Sequence, residues 1–164
     1  MKQRSEHKIV TKVLFVCLGN ICRSPTAHGV FAHQVAESGL SDRIRVDSAG
    51  TSGWHEGVGP DHRSMKQAAA HGYDLSFIRS RKVTSADFVD QDYILAMDRE
   101  NLKNLQKICP QEHAHKLRLF LDYADLPVSD VPDPYYGGNE GFERVLNLVE
   151  LGGVALLDHL KKNL

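Results

Sequence analysis

Four short apolar runs, separated by segments of helical spacing, set the framework of the chain. Ile9 to Val16 is apolar and rich in β-branched residues, and the turn-forming pair Gly19-Asn20 bounds it. It predicts a buried parallel strand. Ser24 suits the cap of the following helix and Pro25 its first position. That helix carries Val30, Phe31, Val35 and Ala36 on its apolar face and runs roughly to Ser38, where Gly39 stops it. Ile44 to Ala49 alternates and predicts a second strand. Gly50 to Pro60 holds four glycines and a proline, so it is expected to be a loop. Asp61 caps a helix with Met65, Ala68 and Ala69 on one stripe, closed by His71-Gly72. Thr84 to Asp87 opens a short helical turn.

Tyr93 to Met97 is the third strand. Asp98 caps a helix bearing Leu102, Leu105 and Ile108, which Cys109-Pro110 closes. Lys116 to Leu121 is the fourth strand. The connector from Asp122 to Asn139 is long, proline-rich and acidic, as functional loops often are. A last helix carries Phe142, Val145, Leu146, Val149, Val154, Leu157 and Leu160. Gly152-Gly153 weakens its middle, at roughly 1 kcal/mol per glycine relative to alanine. The order β-α-β-α-β-α-β-loop-α predicts an α/β three-layer sandwich: a four-stranded parallel sheet with helices on both faces. Ligands of such sheets sit beyond the carboxyl ends of the strands, and Cys17 stands at that end of the first strand.

Composition narrows the class. At 164 residues the chain suits one domain, residues 9–164, behind a flexible polar leader at residues 1–8. A net charge of −1 argues against bulk binding to nucleic acid or anionic membrane. The three cysteines, Cys17, Cys22 and Cys109, do not suit a secreted disulfide framework, so a cytoplasmic setting is expected. The first apolar run is interrupted by Thr11 and Lys12 and is too short for a signal or membrane segment. No repeat or low-complexity tract is visible. His113 and His115 lie in a polar connector without a nearby cysteine or paired carboxylates, so no metal site is expected.

The chemistry concentrates in Cys17-Leu-Gly-Asn-Ile-Cys-Arg-Ser-Pro25. A phosphate dianion needs inward-pointing N–H donors and positive potential, which a tight loop feeding a helix N-terminus provides. Leu18, Gly19, Asn20, Ile21, Cys22, Arg23 and Ser24 are the candidate cradle. Gly19 and Asn20 tolerate left-handed backbone angles. The planar fork of Arg23 grips two phosphate oxygens. The same donors favour a thiolate at Cys17, and Ser24 is placed to hydrogen-bond that thiolate as a leaving group. Cys17 is then the nucleophile of a two-step displacement, with charge stabilised by the loop and Arg23 and no cofactor needed. The leaving group needs a proton and water then needs a base. Asp133, between two prolines and beside Tyr135 and Tyr136, is the candidate for both tasks. Asp130 is a competing carboxyl.

This loop, together with Asp133-Pro-Tyr-Tyr136, resembles the low-molecular-weight protein tyrosine phosphatase family. Asp47-Ser48-Ala49, Trp54 and Tyr93-Ile-Leu-Ala-Met-Asp98 resemble further segments of it, and the likeness spans roughly residues 11–160. The resemblance implies a flavodoxin-like topology, Cys17 as nucleophile, Arg23 as phosphate clamp and Asp133 as general acid and base. It implies that Asn20 and Ser48 hold the loop in shape. It also implies that Ile21, Trp54, Tyr135 and Tyr136 form the substrate slot and that Cys22 forms a reversible disulfide with Cys17. His28 departs from the family, which often carries glutamate there. The residues alone leave Cys22 equally readable as an inert buried thiol. Cys109 reads as a packing residue. Asp98 reads first as a helix cap, and second as a group orienting Arg23. The basic run Arg79 to Lys82 reads as a solvated face, or less readily as an attractor of acidic phosphopeptides.

The expected reaction is therefore hydrolysis of phosphotyrosine and small aryl phosphates. The partners are a phosphotyrosine-bearing protein and phosphate or another oxyanion, with no nucleic acid or membrane, on a monomer or weakly self-associating chain. A protein-arginine phosphatase is an alternative, but the resembling branch has threonine where Ile21 stands. Arsenate reduction would need resolving cysteines near residues 80–90, where the chain has none. A non-catalytic phosphate-binding module would need neither a reactive Cys17 nor Asp133.

Overall fold

The strand β1 (Thr11–Cys17) runs through the middle of the structure, a computed structural model that describes residues 9–164. The expected leader at residues 1–8 lies outside the described residues. Around β1 stand α1 (Arg23–Glu37), β2 (Ile44–Gly50), α2 (His62–Ala70), α3 (Ser85–Asp90), β3 (Tyr93–Ala96), α4 (Arg99–Ile108), β4 (Leu117–Leu119) and α5 (Asn139–Lys162). The sheet is parallel throughout, in the order β2-β1-β3-β4. This is the flavodoxin-like order, with the switch point at β1.

The strand alternates strictly in what it serves. Val13, Phe15 and Cys17 face a core built with α1 and α5. Leu14 and Val16 face a second core with Val83, Phe88 and Leu105, from the side of α3 and α4. Val13 to Val16 are fully buried, and each such side chain contributes roughly 1.5–3 kcal/mol. Phe15 packs edge-on against Phe31 of α1 and Phe120, at centroid distances of 5.7 and 5.1 Å. The loop after β1 therefore leaves from a rigid base.

Several boundaries differ from the sequence expectation. β1 begins at Thr11, and Ile9 is exposed. β4 is only three residues long. Lys116 turns away to donate to the carbonyls of Phe88 and Val89, at 2.8 and 3.1 Å. Phe120 and Leu121 leave the strand in a 3-10 turn that carries the Phe120 ring onto Phe15. α1 begins at Arg23, so Ser24 is not its cap; the Ser24 hydroxyl is engaged elsewhere. In the Arg79–Lys82 run, Arg79 and Lys82 are exposed, as a solvated face requires, but Arg81 is held. Arg81 binds Asp87 through both terminal nitrogens at 2.9 Å and Asp47 at 2.9 Å.

The glycine pair in α5 has a packing reason. A Cβ on Gly152 would lie 2.8 Å from Cζ of Phe120 and 3.0 Å from Leu121. Phe120 is fully buried and cannot yield easily. Gly152→Ala should therefore lower stability in urea melts, because overpacking costs roughly 1–3 kcal/mol against a helix-propensity gain of about 1. A more stable variant would show that the Phe120 ring relaxes.

His28 of α1 is buried, with Nδ1 2.8 Å from Oγ of Ser48. Burial pushes its pKa down to about 4; Asp47 opposes this and Arg81 assists it. The native state thus holds a neutral imidazole, while the unfolded chain protonates near 6.5. This contribution is complete above pH 6.5 and is lost as pH falls toward 4, by about 3 kcal/mol in all. Denaturant melts across that window should show the loss, and His28→Gln should flatten it; an unchanged slope would contradict a neutral buried His28.

Candidate active site

A loop that binds an anion must turn its carbonyls away, and here four of them are taken by neighbours. The carbonyls of Cys17 and Leu18 accept from Thr51 and Ser52, both at 2.9 Å. The Gly19 carbonyl accepts from Oγ of Ser80 at 2.9 Å. The Ile21 carbonyl accepts from the Asp61 N–H at 2.8 Å. In a trans peptide the next N–H points the opposite way, so these four contacts aim the N–H groups of residues 18, 19, 20 and 22 inward. The Asn20 N–H confirms the direction: it reaches the Cys17 sulfur at 3.3 Å.

Asn20 is the only non-glycine residue with positive φ among the described residues, at 57°. Its side chain stabilises that turn twice. Oδ1 accepts from the Arg81 N–H at 3.0 Å, and Nδ2 donates to Ser24 Oγ at 2.7 Å. Gly19, by contrast, does not use its left-handed freedom. It makes room for His55, whose ring would lie 3.0 Å from a Cβ there.

Because Asn20 occupies an acceptor site on Ser24, the hydroxyl proton has two destinations. Oγ lies 3.1 Å from Sγ of Cys17 and 3.3 Å from the Ala49 carbonyl. A thiolate at Cys17 draws that proton toward sulfur. Ser48, expected to brace the loop, meets His28 instead, and the strand residue after it, Ala49, offers its carbonyl to Ser24.

Arg23 is only 3% exposed, with its fork held from two sides. Nη1 donates to the Asp98 carboxylate and, at 3.0 Å, to the Val131 carbonyl. Burial works against its charge, but Cys17 and Asp98 outweigh that and raise its pKa. Asp98 serves both readings given to it, since it also caps α4 through the Asn101 N–H at 2.7 Å. Cys22 differs sharply from its loop neighbours. Burial, with Asp61 adding to it, pushes its thiol up to about 12, so it is a neutral thiol.

The two candidate carboxyls separate. Asp130 is tied to the start of α4, accepting from the Arg99 N–H at 3.1 Å and from Nη2 at 3.2 Å. Asp133 lines the cavity, with Oδ2 3.8 Å from Nη2 of Arg23. Its other oxygen accepts from the Tyr135 N–H at 3.0 Å. The cavity, about 90 Å³, has Cys17, Cys22 and Arg23 at its floor and Ile21, Trp54, Tyr135 and Tyr136 on its walls. Trp54 and Tyr136 are largely exposed, so they stand at the mouth. All the sequence-predicted slot residues therefore meet at one place.

Sequence reasoning missed His55, which lines the same cavity, and the loop supports Ser80, Arg81 and Asp61. Arg81 gave a signal as part of a basic run and Asp61 as a helix cap, neither of them as a support of the loop. Among the described residues no group of three or more His, Cys, Asp or Glu side chains is placed to hold a metal ion. Among the described residues no helix is long and apolar enough to cross a membrane.

The fold agrees with comparisons to known proteins. The family model for low molecular weight phosphotyrosine protein phosphatase matches residues 12–164. A low molecular weight protein-tyrosine-phosphatase of Streptomyces coelicolor is 44% identical over 89% of this chain and 91% of its own. The low molecular weight phosphotyrosine protein phosphatase of Schizosaccharomyces pombe is 47% identical over 80% of this chain and 85% of its own. A crystal structure of a protein tyrosine phosphatase from Entamoeba histolytica, with Hepes in the active site, superposes with a TM-score of 0.91. It is 40% identical and covers 93% of this chain and 98% of its own. The chain belongs to the low molecular weight phosphotyrosine protein phosphatase family, and is a hydrolase of that family.

Proposed function

We propose that residues 9–164 act as one domain that hydrolyses phosphotyrosine through a phosphocysteine on Cys17. The observation carrying this is that the Cys17 sulfur, Arg23 and Asp133 converge on one aromatic-walled cavity. The thiolate attacks phosphorus in line, forming the S–P bond as the P–O bond to the phenol breaks. Asp133 gives its proton to the departing oxygen. Asp133, now a carboxylate, takes a proton from water as that water attacks phosphorus. The S–P bond breaks, phosphate leaves, and Ser24 stabilises the returning thiolate. The loop N–H groups and Arg23 hold the equatorial oxygens in both steps.

Trp54, Tyr135 and Tyr136 favour an aryl leaving group, and Ile21 favours phosphotyrosine over phosphoarginine. The partners are phosphotyrosine-bearing proteins, met by a monomeric or weakly self-associating chain in the cytoplasm, without nucleic acid or membrane. Cys22 is read as the resolving thiol: peroxide converts the Cys17 thiolate to a sulfenic acid, and Cys22 condenses with it, releasing water and forming a disulfide.

Parallel turnover assays on phosphotyrosine, phosphoarginine and phosphoserine peptides test the substrate. Phosphotyrosine should dominate; a preference for phosphoarginine would overturn the reading. Cys17→Ser should abolish turnover while inorganic phosphate still binds, and retained activity would mean another nucleophile. Asp133→Ala should slow turnover of phenyl phosphate by roughly 10²–10⁴. After mild peroxide and then a thiol reductant, the wild type should recover activity and Cys22→Ala should not; equal recovery would remove Cys22 from the redox role.

A further inference from the structure

The connector carrying Asp133 is anchored differently on its two sides. On the near side, the Val131 N–H bonds the Met97 carbonyl at 2.8 Å, the Val131 carbonyl accepts from Arg23, and Asp130 holds Arg99. On the far side stands a cation that the reaction scheme above does not use. The Arg63 guanidinium lies 4.5 Å from the ring centroid of Phe142, in the first turn of α5, and 5.5 Å from that of Tyr135. We propose that Arg63 is a positioning residue, which sets the place of Asp133 over the phosphate loop by acting through Tyr135. The proposal rests on the assignment of Asp133 as the proton donor.

The contacts form one continuous chain. Arg63 is fixed in the plane of the Asp61 carboxylate, with Nε 3.1 Å from Oδ1 and Nη2 3.0 Å from Oδ2. Asp61 caps α2 by accepting from the Arg63 N–H at 2.8 Å. Its own N–H donates to the Ile21 carbonyl of the phosphate loop at 2.8 Å. At the other end, Tyr135 donates its N–H to Asp133. The phosphate loop and the acid are thereby linked through Asp61, Arg63 and Tyr135, with Phe142 as the backing plate.

Only arginine fits this position. A planar guanidinium makes two parallel bonds in its plane and still offers its faces to aromatic rings. Lysine keeps the charge but cannot do both at once. A surface ion pair alone would contribute little, and it would not distinguish one substrate from another. A positioning role does. Proton delivery matters most when the leaving phenol is a poor leaving group, whereas attack by Cys17 is common to all substrates.

The test is a leaving-group series of aryl phosphates, from nitrophenyl to phenyl, run on the wild type, Arg63→Ala, Arg63→Lys, Asp133→Ala and the Arg63→Ala/Asp133→Ala pair. Thermal melts confirm that each is folded. Arg63→Ala should lower kcat/KM, which reports the first phosphoryl transfer alone, roughly tenfold or more on phenyl phosphate and far less on nitrophenyl phosphate, with phosphate inhibition unchanged. Arg63→Lys should not rescue it. In the Asp133→Ala background the Arg63 change should have almost no further effect. An equal loss of kcat/KM on every substrate, rescue by lysine, or additive losses in the pair would each overturn the proposal. If Asp133→Ala alone leaves the leaving-group dependence flat, the acid assignment fails and the role of Arg63 falls with it.

Discussion

Everything at this site depends on where four carbonyls point. A short loop can gather its N–H groups around an anion only if the opposing carbonyls find partners outside the loop, because buried unpaired carbonyls are costly. Thr51 and Ser52, Ser80, and Asp61 provide those partners for Cys17, Leu18, Gly19 and Ile21. They come from the ends of β2, from the segment before α3 and from the start of α2. The fold around the loop is thus the means by which an otherwise unfavourable backbone is held. Asn20 adds the one left-handed residue, and its side chain is bonded at both ends.

The electrostatics follow from that arrangement. Arg23 is buried, yet its charge is secured by Asp98 and by the sulfur it faces. The Val131 carbonyl ties the same guanidinium to the acid-bearing connector. The Arg23 side chain and the connector bearing Asp133 are therefore tied together, and Arg63 lies against the Tyr135 ring on the connector's far side. Two cysteines five residues apart have opposite environments. Cys17 faces Asn20, Ser24 and Arg23, while Cys22 is buried against Asp61 and stays a neutral thiol.

Much of this was readable from the chain because it is local. The apolar runs marked all four strands, and Cys17, Arg23 and Asp133 between its two prolines marked the candidate chemistry. What escaped was set by distant contacts. Phe120 and Leu121 are as apolar as strand residues, and only the Phe15 ring explains why they leave β4. Ser24 has the side chain of a helix cap, but Cys17 and Asn20 compete for it and win. Arg81 looked solvated because Asp47 lies 34 residues earlier in the chain. His55 and Arg63 carried no signal, since their partners at Gly19, Tyr135 and Phe142 are near only in space.

The central claim is that phosphorus passes through the Cys17 sulfur. Acid quenching during turnover of a phosphotyrosine peptide, followed by mass spectrometry of the digested protein, measures this directly. The account predicts a phosphoryl group on Cys17, accumulating when hydrolysis of the intermediate is slower than its formation. A Cys17 free of phosphate throughout turnover, or a phosphoryl group on another residue, would contradict it.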